Sequence, residues 1–415
     1  MPRLRQASLF FAALVLLTGA AAAQRPRRRT PQDDTARAQR PSRLLPHRVS
    51  LGGGKSFSLN LPEGFGLSVA AQGLGRVRFM AESPDGRLFV TDMHDLTDNR
   101  KGAVYVLDRF DPATKRFEKV TPYLTRLRNP NSVAFHTDAR GTEWLYLALT
   151  DRLLRYRYVR GADAPPPQPP EVLATFPDYG LNYKYGGWHL TRTLAFGGNG
   201  KLYVSVGSSC YACVETEDVR AALIEMNPDG GNRRIYARGL RNSVGLRWAG
   251  GRLFATDMGA DHLGKDKPAD AMYAVREGAN YGWPYCYRSG RKVFADAEFN
   301  PRGRKMPCRN VPPSLAVFDA HSAPLGLEYF AAGGAAGPGD SFLVALHGST
   351  TRSLRRGYRV VRVPAAGGSP EDFITGFQQA GVVFGRPADI YSYGKDAFLL
   401  TDDYAGAVYY VYKQQ

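Results

Sequence analysis

The sequence predicts an all-β fold, a six-bladed β-propeller, from three observations. A turn followed by an apolar strand that ends in small or polar residues recurs six times along the chain. Most copies follow hairpin signals such as Asp85-Gly86 and Asn199-Gly200. No long segment has its apolar residues at the 3.6-residue period of an amphipathic helix. Repeated strands without helices are typical of a propeller, whose blades are four-stranded sheets around a central axis.

The six copies define the predicted blades. They are residues 88–92, 145–149, 202–206, 253–257, 342–346 and 398–402, and successive copies begin 57, 57, 51, 89 and 56 residues apart. A unit of about 55 residues fits four strands and one long loop. The 89-residue gap predicts an insertion between blades four and five, bracketed by Cys286 and Cys308. Because the inner strands of a propeller end around its axis, the polar residues after the repeated strands are candidates for a functional site.

The chain is predicted to contain a signal peptide at residues 1–23, a basic disordered arm at 24–50 and the propeller at 51–415. Arg3 and Arg5 precede an apolar stretch at residues 9–17, and Ala21-Ala22-Ala23 is typical of a cleavage site. The arm is rich in arginine and proline and poor in apolar residues. No later apolar run approaches about 18 residues, so we expect no membrane span and a periplasmic or secreted protein.

The formal net charge is +17, and part of it lies in the arm, where residues 24–48 contain eight arginines and two aspartates. A basic charge of this size often indicates a nucleic-acid partner. An exported protein does not meet nucleic acid in its usual setting, so we expect none. The sequence instead favours a solvated tail that rests on anionic surfaces of the cell envelope.

Four cysteines, an even number in an oxidising compartment, predict two disulfides. The expected pairs are Cys210 with Cys213 and Cys286 with Cys308. The second closes a longer loop and should contribute about 3 kcal/mol to stability. A four-cysteine zinc site is an alternative, but the second pair is too widely spaced for a zinc ribbon. A redox-active CxxC is another alternative, although no βαβ pattern surrounds it.

Motifs between residues 186 and 284 predict a functional site. They are Gly186-Gly187-Trp188-His189, Gly239-Leu240-Arg241-Asn242, Met258-Gly259-Ala260-Asp261 and Asn280-Tyr281-Gly282-Trp283-Pro284. They supply a histidine, a cation with an amide, and a glycine-rich acidic loop. Because they lie on successive repeats of a closed ring, these groups are expected to converge at its axis. A base, a cation and a possible metal loop in one place indicate an enzyme site.

In this order the motifs resemble the soluble quinoprotein sugar dehydrogenases, which use pyrroloquinoline quinone (PQQ). The similarity is greatest to the branch of sorbosone, pyranose and aldose dehydrogenases. The matching segments are residues 187–189, 194–196, 203–210, 239–242, 280–284, 347–349 with Arg352, and 385–387. The resemblance extends from about Leu61 to the carboxyl terminus.

The resemblance implies that His189 is the general base that takes the proton of the substrate hydroxyl. The ordinary pKa of histidine, about 6.5, suits that task near neutrality. PQQ carries three carboxylates and two quinone carbonyls, and guanidinium groups bind carboxylates through paired hydrogen bonds. The residues implied to bind the cofactor are Arg78, Arg241, Asn242, His347, Arg352 and Arg386. The alternatives are a packed residue at a strand end for His347 and an ordinary surface position for each arginine.

The resemblance also implies a calcium ion, held by the backbone carbonyls of Gly259 and Ala260. Such an ion would act as a Lewis acid on the quinone oxygens. This chain departs from the family pattern nearby, because Lys265 and Lys267 stand in a stretch that is more acidic in relatives. Ammonium groups that point inward would weaken a calcium site.

The predicted function is therefore oxidation of a sugar hydroxyl by hydride transfer to PQQ, with electrons passed on to an unidentified acceptor. No haem-binding CxxCH motif is present, because Val214 follows Cys213. One alternative is a non-catalytic propeller that binds a glycan or a protein. Another is a calcium-dependent lactonase, which would need several carboxylates on one axial metal. Asp92, Asp257 and Asp402 end three of the repeated strands, but we interpret them as turn residues.

Overall fold

Six four-stranded antiparallel sheets form the framework of the described chain. The structure is a computed structural model that describes residues 43–177, 189–334 and 337–414. Within these ranges the regular elements are strands and five single-turn 3₁₀ helices, with no α-helix. No helix of the described residues has the length and apolar character needed to cross a membrane. The prediction of an all-β, six-bladed propeller is confirmed.

The strands are numbered along the chain. Before the first blade come β1 (Leu44–Ser50), β2 (Ser56–Pro62) and β3 (Phe65–Gln72). Blade one contains β4 (Val77–Glu82), β5 (Leu88–Asp92), β6 (Gly102–Asp111) and β7 (Arg116–Leu127). Blade two contains β8 (Ser132–Thr137), β9 (Glu143–Ala148), β10 (Arg152–Arg157) and β11 (Glu171–Thr175). Blade three contains β12 (Arg192–Phe196), β13 (Leu202–Val206), β14 (Ala222–Met226) and β15 (Arg234–Arg238).

The second half of the ring is less regular. Blade four contains β16 (Leu246–Ala249), β17 (Arg252–Asp257), β18 (Asp270–Val275) and β21 (Ala316–Phe318), with the hairpin β19 (Cys286–Ser289) and β20 (Lys292–Ala295) between the last two. Blade five contains β22 (Pro324–Phe330), β23 (Ser341–Leu346), β24 (Arg359–Pro364) and β25 (Glu371–Ile374). A small hairpin, β26 (Gln378–Gln379) and β27 (Val382–Val383), precedes β28 (Pro387–Tyr393), β29 (Ala397–Asp402) and β30 (Ala407–Lys413) of blade six. The 3₁₀ helices are Gly52–Gly54, Asp261–Leu263, Pro301–Gly303, Cys308–Asn310 and Arg352–Leu354.

The repeated apolar strand proves to be the second strand of each blade, whereas we expected it to be the innermost. The first strands of neighbouring blades pack against each other around the axis, from β4 through β8, β12, β16 and β22 to β28. Second strands are buried on both faces between adjacent blades, so every residue of β5, β13, β23 and β29 is buried. That burial explains why the second strands, and not the first, give the clearest apolar signal.

Blade six is completed by a strand from the amino-terminal part of the described chain. Its order is β28-β29-β30-β3, and Leu67 of β3 pairs with Val411 of β30. Pairing the last strand with an early one closes the ring and removes two exposed sheet edges. The core continues between adjacent blades, as where Phe89 of blade one packs in one apolar cluster with Leu145 of blade two.

The insertion lies inside blade four, between its third and fourth strands, and not between blades four and five as predicted. It spans the hairpin β19–β20 and two 3₁₀ helices, and Cys286 and Cys308 are joined across it. Cys210 and Cys213 form the other disulfide, and the described residues contain no free cysteine. Both predicted pairs are confirmed.

The predicted arm is shorter than residues 24–50. Leu44–Ser50 forms strand β1, which pairs with β2 so that Val49 lies opposite Phe57. The hairpin is attached to blade five through two backbone hydrogen bonds between Asn60 and Thr375. The apolar residues at the end of the basic stretch explain the difference, because burying them against the propeller favours an ordered strand. The signal peptide and residues 24–42 lie outside the described residues and stay predictions.

Candidate active site

A cavity of about 770 Å³ opens at the end of the propeller where first strands begin and second strands end. Loops that precede the first strands contribute His189, Arg241 and Arg386 to its wall. Loops that follow the second strands contribute Gly259 and His347. This volume is in the range of small-molecule binding sites.

His189 stands in the cavity wall just before β12 with φ +42°, in the left-handed region. Its Nδ1 is 3.0 Å from the carbonyl oxygen of Ser208 and 2.8 Å from the Ser208 hydroxyl oxygen. Burial, followed by the positive charge of Arg241, lowers the pKa of His189 well below 6.5. The ring is therefore neutral at neutral pH, as a general base has to be.

Gly207 allows the close approach of His189 to this loop. A Cβ at position 207 would lie 2.6 Å from the Cβ of His189 and 2.7 Å from Oδ1 of Asn242. These distances are shorter than contacts between real side chains, so any other residue would displace the histidine or the amide. The Gly-Ser step after β13 thus brings the base and the Arg-Asn pair together.

Arg241 and Asn242 enter the wall from the loop before β16. The Arg241 guanidinium donates from Nε to the Tyr211 carbonyl at 3.1 Å and from Nη1 to the Gly259 carbonyl at 3.0 Å. The Asn242 amide lies 3.4 Å from the Met258 sulfur, a weak acceptor. Both residues line the cavity with donors whose partners are neutral groups.

Asp403 organises the opposite side of the cavity. Its carboxylate accepts from Arg78 at 2.8 Å, lies 3.1 Å from Arg76, and accepts from His347 Nε2 at 2.8 Å. Burial acts to raise the pKa of Asp403, but His347 and the arginines outweigh it and hold that pKa well below its usual range. Burial lowers the pKa of His347 to about 4 in spite of the carboxylate. His347 is thus a neutral ring with its hydrogen on Nε2.

Arg386 precedes β28 of blade six, and its side chain contacts residues of blade five. It donates to the Ser349 carbonyl at 2.7 Å and to the Tyr358 hydroxyl at 3.0 Å, and its Nη1 is 3.5 Å from His347 Nδ1. Its side chain stacks over the Tyr358 ring, with the guanidinium carbon 5.1 Å from the ring centre. Like Arg241, it is held by neutral acceptors.

The chemistry of these donors fits an anionic ligand. Neither Arg241 nor Arg386 has a carboxylate in ion-pair contact within the described parts of the chain, although both are at least nine-tenths buried. A buried cation that has no carboxylate in direct contact costs free energy, although Asp261 and Asp257 act on Arg241 from a greater distance. A ligand with several carboxylates, such as PQQ, would offset that cost on both sides of the cavity.

The aspartates that end the second strands hold the functional loops. Asp257 accepts from the backbone N–H groups of Arg241 and Asn242, at 3.3 and 2.8 Å. Asp402 accepts from the N–H of Arg386 at 2.8 Å, and Asp92 from that of Arg76 at 2.8 Å. These carboxylates are occupied by backbone donors, in agreement with our interpretation as turn residues, and they do not converge on one point as a lactonase metal site requires.

The predicted calcium ligands are the backbone carbonyls of Gly259 and Ala260, and the first of them already has a hydrogen-bond donor. The Gly259 carbonyl accepts from Arg241, so a cation already occupies the side on which an ion would bind. Ala260 lines a separate small cavity beneath the loop. The only cluster of three metal-ligand side chains in the described ranges is Cys210, Cys213 and Glu215, whose cysteines are bonded to each other. We therefore derive no step from calcium, and the prediction for Gly259 and Ala260 stays untested.

The cavity brings together most of the predicted site. Its wall contains the following predicted residues: His189, Arg78, Arg241, Asn242, His347, Arg386 and Gly259. Arg352 begins a 3₁₀ helix in blade five, and its side chain, like Gly186-Gly187-Trp188, lies outside what the structure describes. Their roles in catalysis and cofactor binding remain predictions.

Four residues to which the sequence analysis assigned no role also shape the site, although Ser208 lies in the matching segment 203–210 and Asp270 follows the glycine-rich loop. Asp403 fixes His347 and Arg78, and Ser208 contacts His189. Tyr211 lies between the cysteines of the short disulfide and lines the cavity beside Arg241. Asp270, whose pKa burial raises to about 7, accepts from the Gly259 N–H at 2.8 Å and so holds the glycine-rich loop.

The fold and the cavity together define a six-bladed β-propeller with an axial cavity whose wall contains histidines and buried arginines. The chain belongs to the TrAA12-like family, because a sequence model of that family matches residues 59–384. The family resemblance predicted from the motifs is confirmed. Among individual proteins, an uncharacterised protein of Borreliella burgdorferi is 28% identical over 234 residues, which cover 52% of this chain and 58% of that protein. The chain thus spans just over half the length of this relative.

Solved structures share the fold at low sequence identity. The PQQ domain of pyranose dehydrogenase from Coprinopsis cinerea is 19% identical, with a TM-score of 0.64 over 86% of this chain and 97% of that one. A Trichoderma reesei carbohydrate-active enzyme of family AA12 is 18% identical, with a TM-score of 0.68 over 85% and 97%. The soluble aldose sugar dehydrogenase of Escherichia coli is 12% identical, with a TM-score of 0.58 over 84% and 100%.

Proposed function

We propose that the protein is an exported, PQQ-dependent dehydrogenase that oxidises a hydroxyl group of a sugar. One observation carries the proposal: His189 lines the same cavity as two buried arginines, and neither arginine contacts a carboxylate of the described residues. Membership of the TrAA12-like family supports an oxidoreductase that acts on sugars. The two disulfides support a periplasmic or secreted location.

The cofactor would be held from both sides of the cavity. Arg241 and Asn242 supply donors on one side, and Arg386 supplies them on the other. Arg78 lines the cavity with its charge balanced by Asp403, so it contributes hydrogen bonds more than net charge. When bound, PQQ supplies a quinone that accepts the two electrons and the hydrogen of an alcohol oxidation.

His189 would act on the substrate. Its Nδ1 faces Ser208, and Nε2 is the nitrogen that would take a proton from a sugar hydroxyl. As that proton leaves, negative charge grows on the substrate oxygen, and the guanidinium of Arg241 stabilises negative charge in the same cavity. The reduced enzyme would then be reoxidised by an external carrier, which we leave unidentified.

The test is titration of the purified mature protein with PQQ, with and without calcium. Binding is followed by quinone absorbance, and turnover by reduction of an artificial dye over a panel of aldoses, pyranoses and sorbosone. We expect saturable binding and turnover with at least one sugar. Absence of PQQ binding at saturating concentration, with calcium present, would contradict the proposal. Binding of a glycan without PQQ would support the non-catalytic alternative.

A further inference from the structure

Ser208, a buried residue, contacts the histidine in the cavity wall. This serine follows Gly207 directly after β13 and has no exposed surface. Its carbonyl oxygen is 3.0 Å from His189 Nδ1, and its hydroxyl oxygen is 2.8 Å from the same nitrogen. One ring nitrogen therefore faces two oxygens of a single residue.

The positions of the hydrogens follow from these contacts. A carbonyl oxygen only accepts, so His189 Nδ1 has to carry a hydrogen. The Ser208 hydroxyl donates its own hydrogen to the Cys210 carbonyl at 2.9 Å, so its oxygen is also an acceptor toward the ring. In the neutral ring the hydrogen on Nδ1 leaves Nε2 as the basic nitrogen.

Ser208 is itself fixed on three sides. Its backbone N–H donates to the Arg241 carbonyl at 2.8 Å. Its hydroxyl is bonded to the loop that the Cys210–Cys213 disulfide closes. Gly207, before it, leaves no space for a side chain next to His189. A movement of Ser208 would therefore shift the histidine and the Arg241 backbone together.

We propose that Ser208 is the positioning residue of His189, and that it fixes the reactive tautomer through neutral acceptors instead of a carboxylate. The inference rests on the proposed function for its catalytic meaning, but not for the tautomer itself. Beyond the assignment of His189 as the base, Ser208 is the group that orients the ring, and it carries no negative charge.

The charge of the surroundings gives the proposal a measurable consequence. The charged groups that act on the ring include the guanidiniums of Arg241, Arg192 and Arg220. Glu215 lies beyond Ser209, to which it is hydrogen-bonded. Burial and these arginines lower the pKa of His189, and Ser208 offers only neutral acceptors against them. A carboxylate at position 208 would supply the missing negative charge and raise that pKa by roughly 1–3 units.

The first experiment is ¹⁵N NMR of histidine-labelled protein without cofactor, with His189 assigned by comparison with His189→Gln. Long-range ¹H–¹⁵N correlations distinguish a hydrogen on Nδ1 from one on Nε2. We expect the Nδ1–H tautomer in the wild type and in Ser209→Ala, a control whose hydroxyl contacts Glu215 and not the ring. The Nε2–H tautomer in the wild type would overturn the proposal, whether or not the protein oxidises sugars.

The second experiment uses the PQQ-loaded enzyme and two substitutions. Ser208→Ala keeps the carbonyl and removes the hydroxyl, so we expect kcat to fall by about 5- to 10-fold with little change in KM. Ser208→Asp should move the acid limb of the kcat/KM profile upward by about 1–3 pH units. If kcat is unchanged in Ser208→Ala, or if the limb of a folded Ser208→Asp protein does not move, the proposal is wrong. If no variant binds PQQ, the proposed function fails, while the NMR result still decides the tautomer.

Discussion

Two of the three histidines that line the cavity in the described residues, His189 and His347, are held in opposite ways. His189 directs Nδ1 to a carbonyl and a hydroxyl, both neutral, whereas His347 directs Nε2 to the carboxylate of Asp403. The unprotonated nitrogen of His347 faces Arg386 at 3.5 Å. A carboxylate partner usually marks a catalytic histidine, but here Arg76 and Arg78 share it. This difference favours His189 as the candidate for the base. His347 instead belongs to a buried network of charged groups.

We expect substitution of His189 to change the activity more than any other substitution discussed below. Replacement by Gln or Ala should lower kcat by about 10²- to 10⁴-fold, because the proton acceptor is lost, while the arginines still bind PQQ. Steady-state kinetics on the PQQ-loaded protein, with quinone absorbance to verify loading, measure this. An equal loss of kcat in His347→Gln would remove the distinction between the two rings.

The charge network should respond to Asp403→Asn mainly in stability. The amide leaves Arg76, Arg78 and His347 without their shared anion, and breaking a buried ion pair in this way costs about 3–5 kcal/mol. Chemical denaturation reports the change in the free energy of unfolding. A variant as stable as the wild type would show that Asp403 is not the anchor of this side of the cavity.

Substitution of Arg241 tests whether the side of the cavity that contains His189 and Arg241 binds the cofactor. Arg241→Met removes a charge-assisted contact to a carboxylate of the ligand, so the Kd for PQQ should rise by roughly 10- to 100-fold, from 1.5–3 kcal/mol. Arg288→Met is the matched control, because Arg288 is equally buried and also donates to backbone carbonyls, but lies outside this cavity. Equal changes of Kd in both variants would argue against a direct contact.

The smallest predicted effects are those of pH. The lowered pKa of His189 predicts that kcat/KM stays high at pH 6.5 and falls only at a more acidic pH. The pKa of His347 is about 4 in the folded state and about 6.5 in the unfolded state, so the unfolded chain binds more protons between these values. Stability is therefore lost as pH falls from 6.5 to 4, and His347→Gln should flatten that slope. Thermal unfolding across this range measures it, and an unchanged slope would contradict the low pKa.

The sequence predicted the blade count and the main polar residues because both depend on local patterns. Second strands are apolar and repeat, and His189 and Arg241 stand in short motifs. It misplaced the insertion and the innermost strands, because the pairing of strands far apart in sequence is not encoded in any one segment. It gave no role to Ser208, because the backbone carbonyl of this residue contacts His189 as closely as its side chain does. It also missed Asp403, because no local pattern distinguishes this residue from Asp402. The contacts of these two residues exist only once the ring has closed.

The closure of blade six determines when folding of the propeller can finish during synthesis of the chain. Strand β3 is synthesised before any blade, but its partner β30 ends about 340 residues later. At roughly 5–20 residues per second of translation, the early strand waits on the order of 20–70 s with an unpaired edge. During that interval blades one to five can form in order, each from its own consecutive strands, whereas the sixth has to wait for the final residues. A nascent chain that stalls near its end would therefore be an open ring, with two sheet edges exposed to wrong partners.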